Sequence, residues 1–178
     1  VFLGTIDEIN WAFINGPKIF APNLFETFKN LTNSDDIIES YYKEVFLNNS
    51  KIHSWIWHDY ERILSQLNPK KYFFESNENL LKREGLPNSP YMELYYINND
   101  FFMEKNEILN TIRKIKDLPC YIVQGRYDLI CPPTNAYNLH KKWDSSKIKF
   151  VNTAGHSSSD QGIIDNLLVG LKKLTSHL

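Results

Sequence analysis

Apolar and polar positions along the first part of the chain follow a helical period. Apolar side chains recur every three or four positions in residues 37–46 and again in residues 51–67. This spacing places them along one face of a helix, and the second helix is expected to end before Pro69. Residues 1–105 are therefore predicted to be mainly α-helical.

Local signals refine this helical stretch. Asn33 or Ser34 is the expected N-cap of the first helix, because short polar side chains accept hydrogen bonds from the free N–H groups of a first turn. Ser89 is expected to cap another helix, with Pro90 at its first position. Residues 70–88 are polar and are expected to be irregular.

The pattern changes near residue 106. One more helical set of apolar positions ends before Pro119, and an apolar strand, Cys120–Gly125, follows it. The rest of the chain predicts a helix over residues 134–143, a strand over 147–153 and a helix over 163–174. This alternation of strands and helices favours a parallel sheet with a right-handed crossover.

The predicted fold class is therefore α/β, with a helical segment over residues 1–105 and a β-α-β-α segment over residues 106–178. At 178 residues, with 42% hydrophobic and 14% aromatic residues, the chain has the composition of a globular protein. A formal net charge of −1 provides no electrostatic footprint for nucleic acid. The apolar runs fall short of the roughly 20 residues of a membrane helix, so no membrane partner is expected.

Of the two cysteines, Cys120 begins the predicted strand and Cys131 lies beyond its other end. An extended strand would hold its ends about 20 Å apart, too far for a disulfide. This predicts free thiols in a reducing compartment, and hence a cytoplasmic location.

Candidate chemistry lies in the loops that follow the two predicted strands. Asp128 comes three residues after the first strand, and His156 follows Gly155 just after the second. Considered singly, Asp128 could cap the next helix and His156 could be a surface residue. On consecutive loops of one crossover, they form the second and third members of a Ser-Asp-His triad, in the chain order of α/β-hydrolases. We expect them to lie within hydrogen-bonding distance of each other.

The first member of such a triad, the nucleophilic serine, is not found in this sequence. No serine stands in a Gly-x-Ser-x-Gly context, and no glycine-rich oxyanion segment is present. The nucleophilic serine is therefore expected to lie outside this chain, which by itself is expected to be inactive.

The strings around these residues resemble one family, the proline iminopeptidases (prolyl aminopeptidases) of the α/β-hydrolase superfamily. The segment Val123-Gln124-Gly125-Arg126-Tyr127-Asp128-Leu129-Ile130-Cys131-Pro132 is similar to the family's C-terminal signature. Ala154-Gly155-His156-Ser157 and Gly162-Ile163 are similar to its later motif, although Asp160-Gln161 stands where the family has Glu-Pro.

The resemblance extends into the helical half. Trp57-His58-Asp59-Tyr60-Glu61 resembles the family's Trp-x-x-Trp-Glu, with Tyr60 in place of the second tryptophan. Glu93-Leu94-Tyr95-Tyr96-Ile97-Asn98-Asn99 resembles Glu-x-His-Tyr-Phe-x-Asn, with two replacements. The resemblance implies a helical cap followed by the C-terminal part of an α/β-hydrolase core, and the absence of about 130 N-terminal residues of the family pattern.

The resemblance also implies roles for individual residues and a substrate class. Glu61 and Glu93 would hold the protonated amine of a peptide with an N-terminal proline, because a desolvated cation needs partner carboxylates. Cys131 would line the pocket for the pyrrolidine ring. Considered on their own, both glutamates are more simply solvated helix residues, and Cys131 a small buried apolar residue. No cofactor is implied, and the histidines lack the spacing of a metal site.

Two alternatives remain open. The chain could be part of another capped α/β-hydrolase, such as an esterase or an epoxide hydrolase, or it could be a catalytically inactive truncated fragment. Glu61 and Glu93 distinguish an aminopeptidase from the first alternative, because an ester substrate has no amine for them to neutralise. The oligomeric state is not predicted.

Overall fold

The computed structural model describes residues 1–32 and 34–176. They divide into two compact units, each of which draws on separate parts of the sequence. The α/β unit consists of Val1–Glu8, Ser65–Asn68 and residues 103–176, and the helical unit consists of Ile9–Leu64 and Pro69–Phe102. The interpretation of these units as a hydrolase core segment and a cap stays a prediction.

The helices and strands follow in this order along the chain. The α-helices are Ile6–Asn10 (α1), Gly16–Phe20 (α2), Pro22–Asn30 (α3), Ile37–Tyr42 (α4), Lys51–Ser65 (α5), Asn77–Lys82 (α6), Ser89–Asn98 (α7), Glu107–Thr111 (α8), Pro133–Lys142 (α9) and Ile163–Thr175 (α10). The strands are Cys120–Gly125 (β1) and Ser146–Val151 (β2). Trp11–Asn15 and Lys43–Leu47 are π-helical, and Asp100–Phe102 and Ile112–Lys114 are short 3₁₀ turns.

Helix capping differs from the sequence predictions. Asp36 caps α4, with its side chain accepting a hydrogen bond from the Glu39 N–H at 2.9 Å. The prediction of Ser34 was therefore wrong, and Asn33 lies outside the described residues. Ser89 is the first residue of α7 instead of its cap, and its hydroxyl pairs with His58 Nδ1 at 2.9 Å.

The polar segment 70–88 is not wholly irregular, because it contains α6. Ser76 begins this helix by accepting a hydrogen bond from the Asn79 N–H at 3.4 Å. Leu80 is fully buried and holds the helix against the unit. The prediction missed α6 because one buried leucine within a polar stretch produces no helical apolar period.

Aromatic rings form the centre of the helical unit. Phe28 stacks between Tyr41 and Tyr60, with ring centroids 4.3 Å and 3.9 Å away. Both tyrosine hydroxyls donate to backbone carbonyls at 3.0 Å, Tyr41 to Phe28 and Tyr60 to Phe13. Burial raises the pKa of Tyr41 and of Tyr60, so both remain neutral donors. The stacked rings thus pack as apolar groups, and the two tyrosine hydroxyls among them are satisfied.

The α/β unit contains the predicted parallel strand pair. Strand β1 occupies the residues predicted for it, and β2 lies beside it in parallel, with Cys120 opposite Ser146 and Gly125 opposite Val151. Helix α9 connects the two strands, and α10 packs against β1. The parallel pairing is confirmed, and the observed mixture of helices with a small parallel sheet is a partial α/β fold.

Two further expectations concern the cysteines and the membrane. Cys120 and Cys131 are both free thiols, as predicted. Within the described part of the chain, no helix combines the length and the apolar character that a membrane crossing requires.

Candidate active site

Asp128 occupies the loop that follows β1 and is nearly enclosed, with 6% of the whole residue exposed. The loop turns back on itself so that Oδ1 accepts hydrogen bonds from the N–H groups of Ile130 at 3.1 Å and of Cys131 at 2.7 Å. A carboxylate held in this way by the main chain has a fixed orientation, which leaves Oδ2 to face the neighbouring loop.

His156 lies in that neighbouring loop, after β2. Its Nδ1 atom lies 3.1 Å from Oδ2 of Asp128, so the expected hydrogen bond is present. The imidazole is 36% exposed, whereas the carboxylate side chain is 5% exposed. With Nδ1 bound to the acid, the other ring nitrogen, Nε2, is the atom able to exchange a proton with a substrate or a nucleophile.

The close approach of the two loops depends on a glycine at the end of β1. A Cβ atom at Gly125 would lie 1.9 Å from the carbonyl oxygen of Gly155 and 2.7 Å from that of Ala154. Beyond this point, the N–H of Tyr127 donates to the carbonyl of Ala154 at 3.0 Å. Because main chain contacts main chain here, Asp128 and His156 lie close enough to form their hydrogen bond.

Gln124 supports the pair from within β1. Its side-chain amide is 2% exposed and donates to Oδ2 of Asp128 at 2.9 Å and to the carbonyl of Cys131 at 3.1 Å. Gln124 was not among the site residues predicted from the sequence. A signal was available, because it is the polar residue within an otherwise apolar strand, and a buried amide needs partners.

The histidine loop is fixed to a second part of the same unit. The carbonyl of Ser65 accepts a hydrogen bond from the N–H of His156 at 2.9 Å. Oδ2 of Asp160 accepts from the N–H of Gly155 at 2.6 Å and from that of Leu67 at 3.2 Å. Asp160 therefore braces the loop, although it departs from the family string.

The surroundings of His156 favour its protonated form. Hydrogen bonds from the imidazolium to Asp128 and to the side chain of Cys131 raise the pKa of His156 from 6.5 to about 10, against the opposing effect of burial. The direction follows from the acid, since a nearby anion stabilises the imidazolium cation. Cys131 is 4% exposed, so it contributes to this enclosure as well as to the binding of Asp128.

We expect the titration of His156, followed by the NMR shift of its ring carbon, to have a midpoint far above 6.5 and near 10. Asp128→Asn is expected to lower that midpoint strongly, because it removes the negative charge beside the ring. Asp144→Asn is the matched control, since Asp144 is an exposed aspartate of the same unit, paired with Lys116. A midpoint near 6.5 in the unaltered chain would contradict the described pairing.

The same pairing affects stability in a defined pH window. The folded-state pKa lies above the unfolded value, so the folded chain retains the proton longer. The stabilising contribution is therefore complete below about pH 6.5 and is lost as pH rises towards about 10. In Asp128→Asn, stability is expected no longer to fall in this pH range, because the charge that raises the pKa of His156 is absent.

The helical unit contains Glu93, which the sequence analysis named as a binding residue. Its Oε2 atom accepts a hydrogen bond from the indole N–H of Trp57 at 2.7 Å. Burial raises the pKa of Glu93 to about 7, against the Trp57 hydrogen bond, which lowers it, and with a further rise from Glu61. At neutral pH this carboxyl is thus close to half ionised.

Glu61 lies one helical turn after Trp57 on α5. It is half-buried, and its negative charge acts on Glu93. Two carboxylates in a partly desolvated setting repel each other, and a cation or a proton between them relieves the repulsion. The pair thus has the chemistry that suits a small monovalent cation such as an ammonium group, and its role in binding one stays a prediction.

The structure thus brings together the predicted site residues within each unit. Asp128, His156 and Cys131 form one cluster in the α/β unit, and Glu61 and Glu93 form another in the helical unit. Among the described residues, no group of three or more histidine, cysteine or acidic side chains is placed to hold a metal ion. The roles assigned to these residues stay predictions.

Comparison with known proteins finds several relatives that are named proline iminopeptidases. No family model matches the chain. It is 29% identical to a proline iminopeptidase of Arabidopsis thaliana, over 98% of its own length and 47% of that protein. It is 30% identical to a probable proline iminopeptidase of Leptolyngbya boryana, over 94% of its own length and 54% of that protein. It is 28% identical to a proline iminopeptidase of Neisseria gonorrhoeae, over 80% of its own length and 44% of that protein.

The chain therefore spans about half the length of the curated relatives that it matches. Its own sequence, in contrast, is covered almost throughout, including both the helical and the α/β unit. The matches identify the chain as a relative of the proline iminopeptidases, with the extent expected of a C-terminal portion of such a protein.

Proposed function

We propose that this chain provides the acid and base of a serine exopeptidase that releases proline from the N-terminus of peptides. The observation that carries the proposal is the hydrogen bond from His156 Nδ1 to Asp128 Oδ2, at 3.1 Å on consecutive loops of the strand pair. The similarity to proline iminopeptidases supports the choice of substrate class. The α/β-hydrolase fold belongs to the same proposal.

In the proposed reaction, a serine outside this sequence attacks the carbonyl carbon of the N-terminal proline. His156 accepts the serine proton at Nε2, and Asp128 stabilises the resulting imidazolium. The proton then passes from His156 to the departing amine of the shortened peptide, and water releases proline from the acyl-enzyme in a second cycle. Because the neutral imidazole is the base, the rate is expected to rise with pH through the titration of His156.

Recognition of the free N-terminus is assigned to the carboxylates of the helical unit. The secondary ammonium of an N-terminal proline carries one positive charge, and the pair formed by Glu61 and Glu93 can neutralise it. Within this proposal Cys131 contributes to the pocket for the pyrrolidine ring. A neutral ester or an epoxide has no amine for the two carboxylates to neutralise, which disfavours the other capped hydrolases.

The experiment joins this chain to the preceding half of a relative, such as the Leptolyngbya boryana protein. The joined protein is expected to hydrolyse a prolyl-arylamide, and the 178-residue chain alone is expected to show only background hydrolysis. Preference for a neutral ester over the arylamide would favour the esterase alternative. No hydrolysis by a folded joined protein would favour the inactive-fragment alternative.

A further inference from the structure

Trp57 is hydrogen-bonded to Glu93 and precedes Glu61 by one helical turn on α5. Its side chain is fully buried, and its ring stacks on Phe13 with centroids 4.3 Å apart and an interplanar angle of 21°. The same indole donates its N–H to Oε2 of Glu93 at 2.7 Å. Glu61 follows Trp57 by four positions on α5, and so lies on the same helical face.

We propose that Trp57 is the positioning residue of an ammonium site, and that its indole N–H fixes the carboxylate of Glu93 beside Glu61. The proposal rests on the proposed function, since it assigns the pair to the amine of an N-terminal proline. Trp57 does not touch the substrate in this account. It acts through Glu93 alone.

The aromatic packing gives the donor a fixed direction. Phe13 covers one face of the indole, and Phe28 and Tyr41 lie at 6.0 Å and 5.5 Å from it at tilted angles. A buried ring enclosed on several sides has little freedom to rotate. Its N–H therefore points at one place, and the carboxyl of Glu93 receives it with one oxygen while the other is left for a cation.

The hydrogen bond also opposes the two effects that would neutralise this carboxyl. Burial and the charge of Glu61 both favour the protonated form of Glu93, whereas the indole donor favours the ionised form. A site for a cation needs the ionised form. Trp57 and Glu61 should thus act on the titration of Glu93 in opposite directions, which a purely structural role for Trp57 does not predict.

Charged side chains on the other elements that pack against α7 are occupied elsewhere or exposed. On α4 and the π-helical segment after it, Lys43 pairs with Glu39 at 2.8 Å, and Glu44 lies 3.7 Å from the ring of His53. In the 3₁₀ turn after α7, Asp100 is exposed. The titration of the half-buried Glu93 carboxyl is therefore expected to depend on Trp57 and Glu61 of α5.

The test measures the titration of Glu93 in the 178-residue chain by the NMR shift of its side-chain carboxyl carbon. We expect a midpoint near 7 in the unaltered chain, a higher midpoint in Trp57→Phe and a lower one in Glu61→Gln. Trp143→Phe is the matched control, because Trp143 donates its indole N–H to a backbone carbonyl at 2.9 Å. It should leave the midpoint unchanged.

Replacing Trp57 by its sulfur isostere 3-benzothienylalanine provides a second variant if the smaller phenyl ring prevents folding. The isostere retains the size and stacking of the indole but lacks the donor, so it should raise the midpoint as Trp57→Phe does. An unchanged or lowered midpoint in a folded isostere variant would overturn the proposal.

Binding of L-prolinamide at pH 7, measured by calorimetry, separates this inference from the proposed function. A rise of one pH unit in the midpoint would reduce the ionised fraction of Glu93 about fivefold, and affinity should weaken by about that factor. If the midpoints shift as expected but the unaltered chain does not distinguish prolinamide from neutral N-acetylprolinamide, then the positioning of Glu93 stands and the proposed function fails.

Discussion

Asp128→Asn is expected to lower turnover about ten-thousandfold in an active protein that contains this sequence, by comparison with the same change in a serine protease triad. Each oxygen of Asp128 accepts hydrogen bonds, Oδ1 from two main-chain N–H groups and Oδ2 from Gln124 and His156. An asparagine amide must therefore direct its own N–H₂ group at one of these sets of donors. It also cannot stabilise the imidazolium.

The measurement is kcat and KM for a prolyl-arylamide in the joined protein and its variants. The loss should lie in kcat, because Asp128 acts on His156 and not on the bound substrate. Asp144→Asn again serves as the matched control and should retain normal turnover. Near-normal turnover in Asp128→Asn would remove this residue from the mechanism.

Glu61→Gln is expected to lose aminopeptidase activity selectively. Removing one charged partner of a desolvated cation costs about 2 to 5 kcal/mol, roughly 30-fold to several thousandfold in kcat/KM. Hydrolysis of a small neutral ester should fall far less, because the ester has no amine to hold. Glu93→Gln should act in the same direction, and the two losses should be non-additive, since both carboxylates address one cation.

The comparison requires kcat/KM for a prolyl-arylamide and for a neutral ester in each single variant and in the double variant. Glu78→Gln is the matched control, because Glu78 is an exposed glutamate of the helical unit, paired with Lys82. Equal losses on both substrates would mean that the two glutamates support the structure of the helical unit, and would favour an esterase.

The sequence predicts best where a short apolar run has clear boundaries. Strand β1 is bounded by Pro119 on one side and by Gly125 at its end, so its residues could be predicted without the structure. The loop positions of Asp128 and His156 followed from the strands, because parallel strands end at the same edge of a sheet.

Other structural features could not be predicted, because they produce no recognisable pattern in the sequence. The π-helical segments insert an extra residue into a helix, which local propensity does not register. The bond from Trp57 to Glu93 joins residues that lie 36 positions apart, and it is decided by how α5 and α7 pack. Helix caps were misassigned by one or two positions where several polar residues adjoin, as at Asn88 and Ser89.

The contact between Gly125 and Gly155 has a consequence for how such a site can vary. The distance between acid and base is determined by two stretches of main chain that touch where a methyl group would not fit. Exposed side chains of these loops, such as Tyr127, can therefore be exchanged without moving Asp128 and His156 apart. What must be preserved at position 125 is the lack of a side chain, because the carbonyl oxygens of the histidine loop occupy the place that a Cβ atom would take.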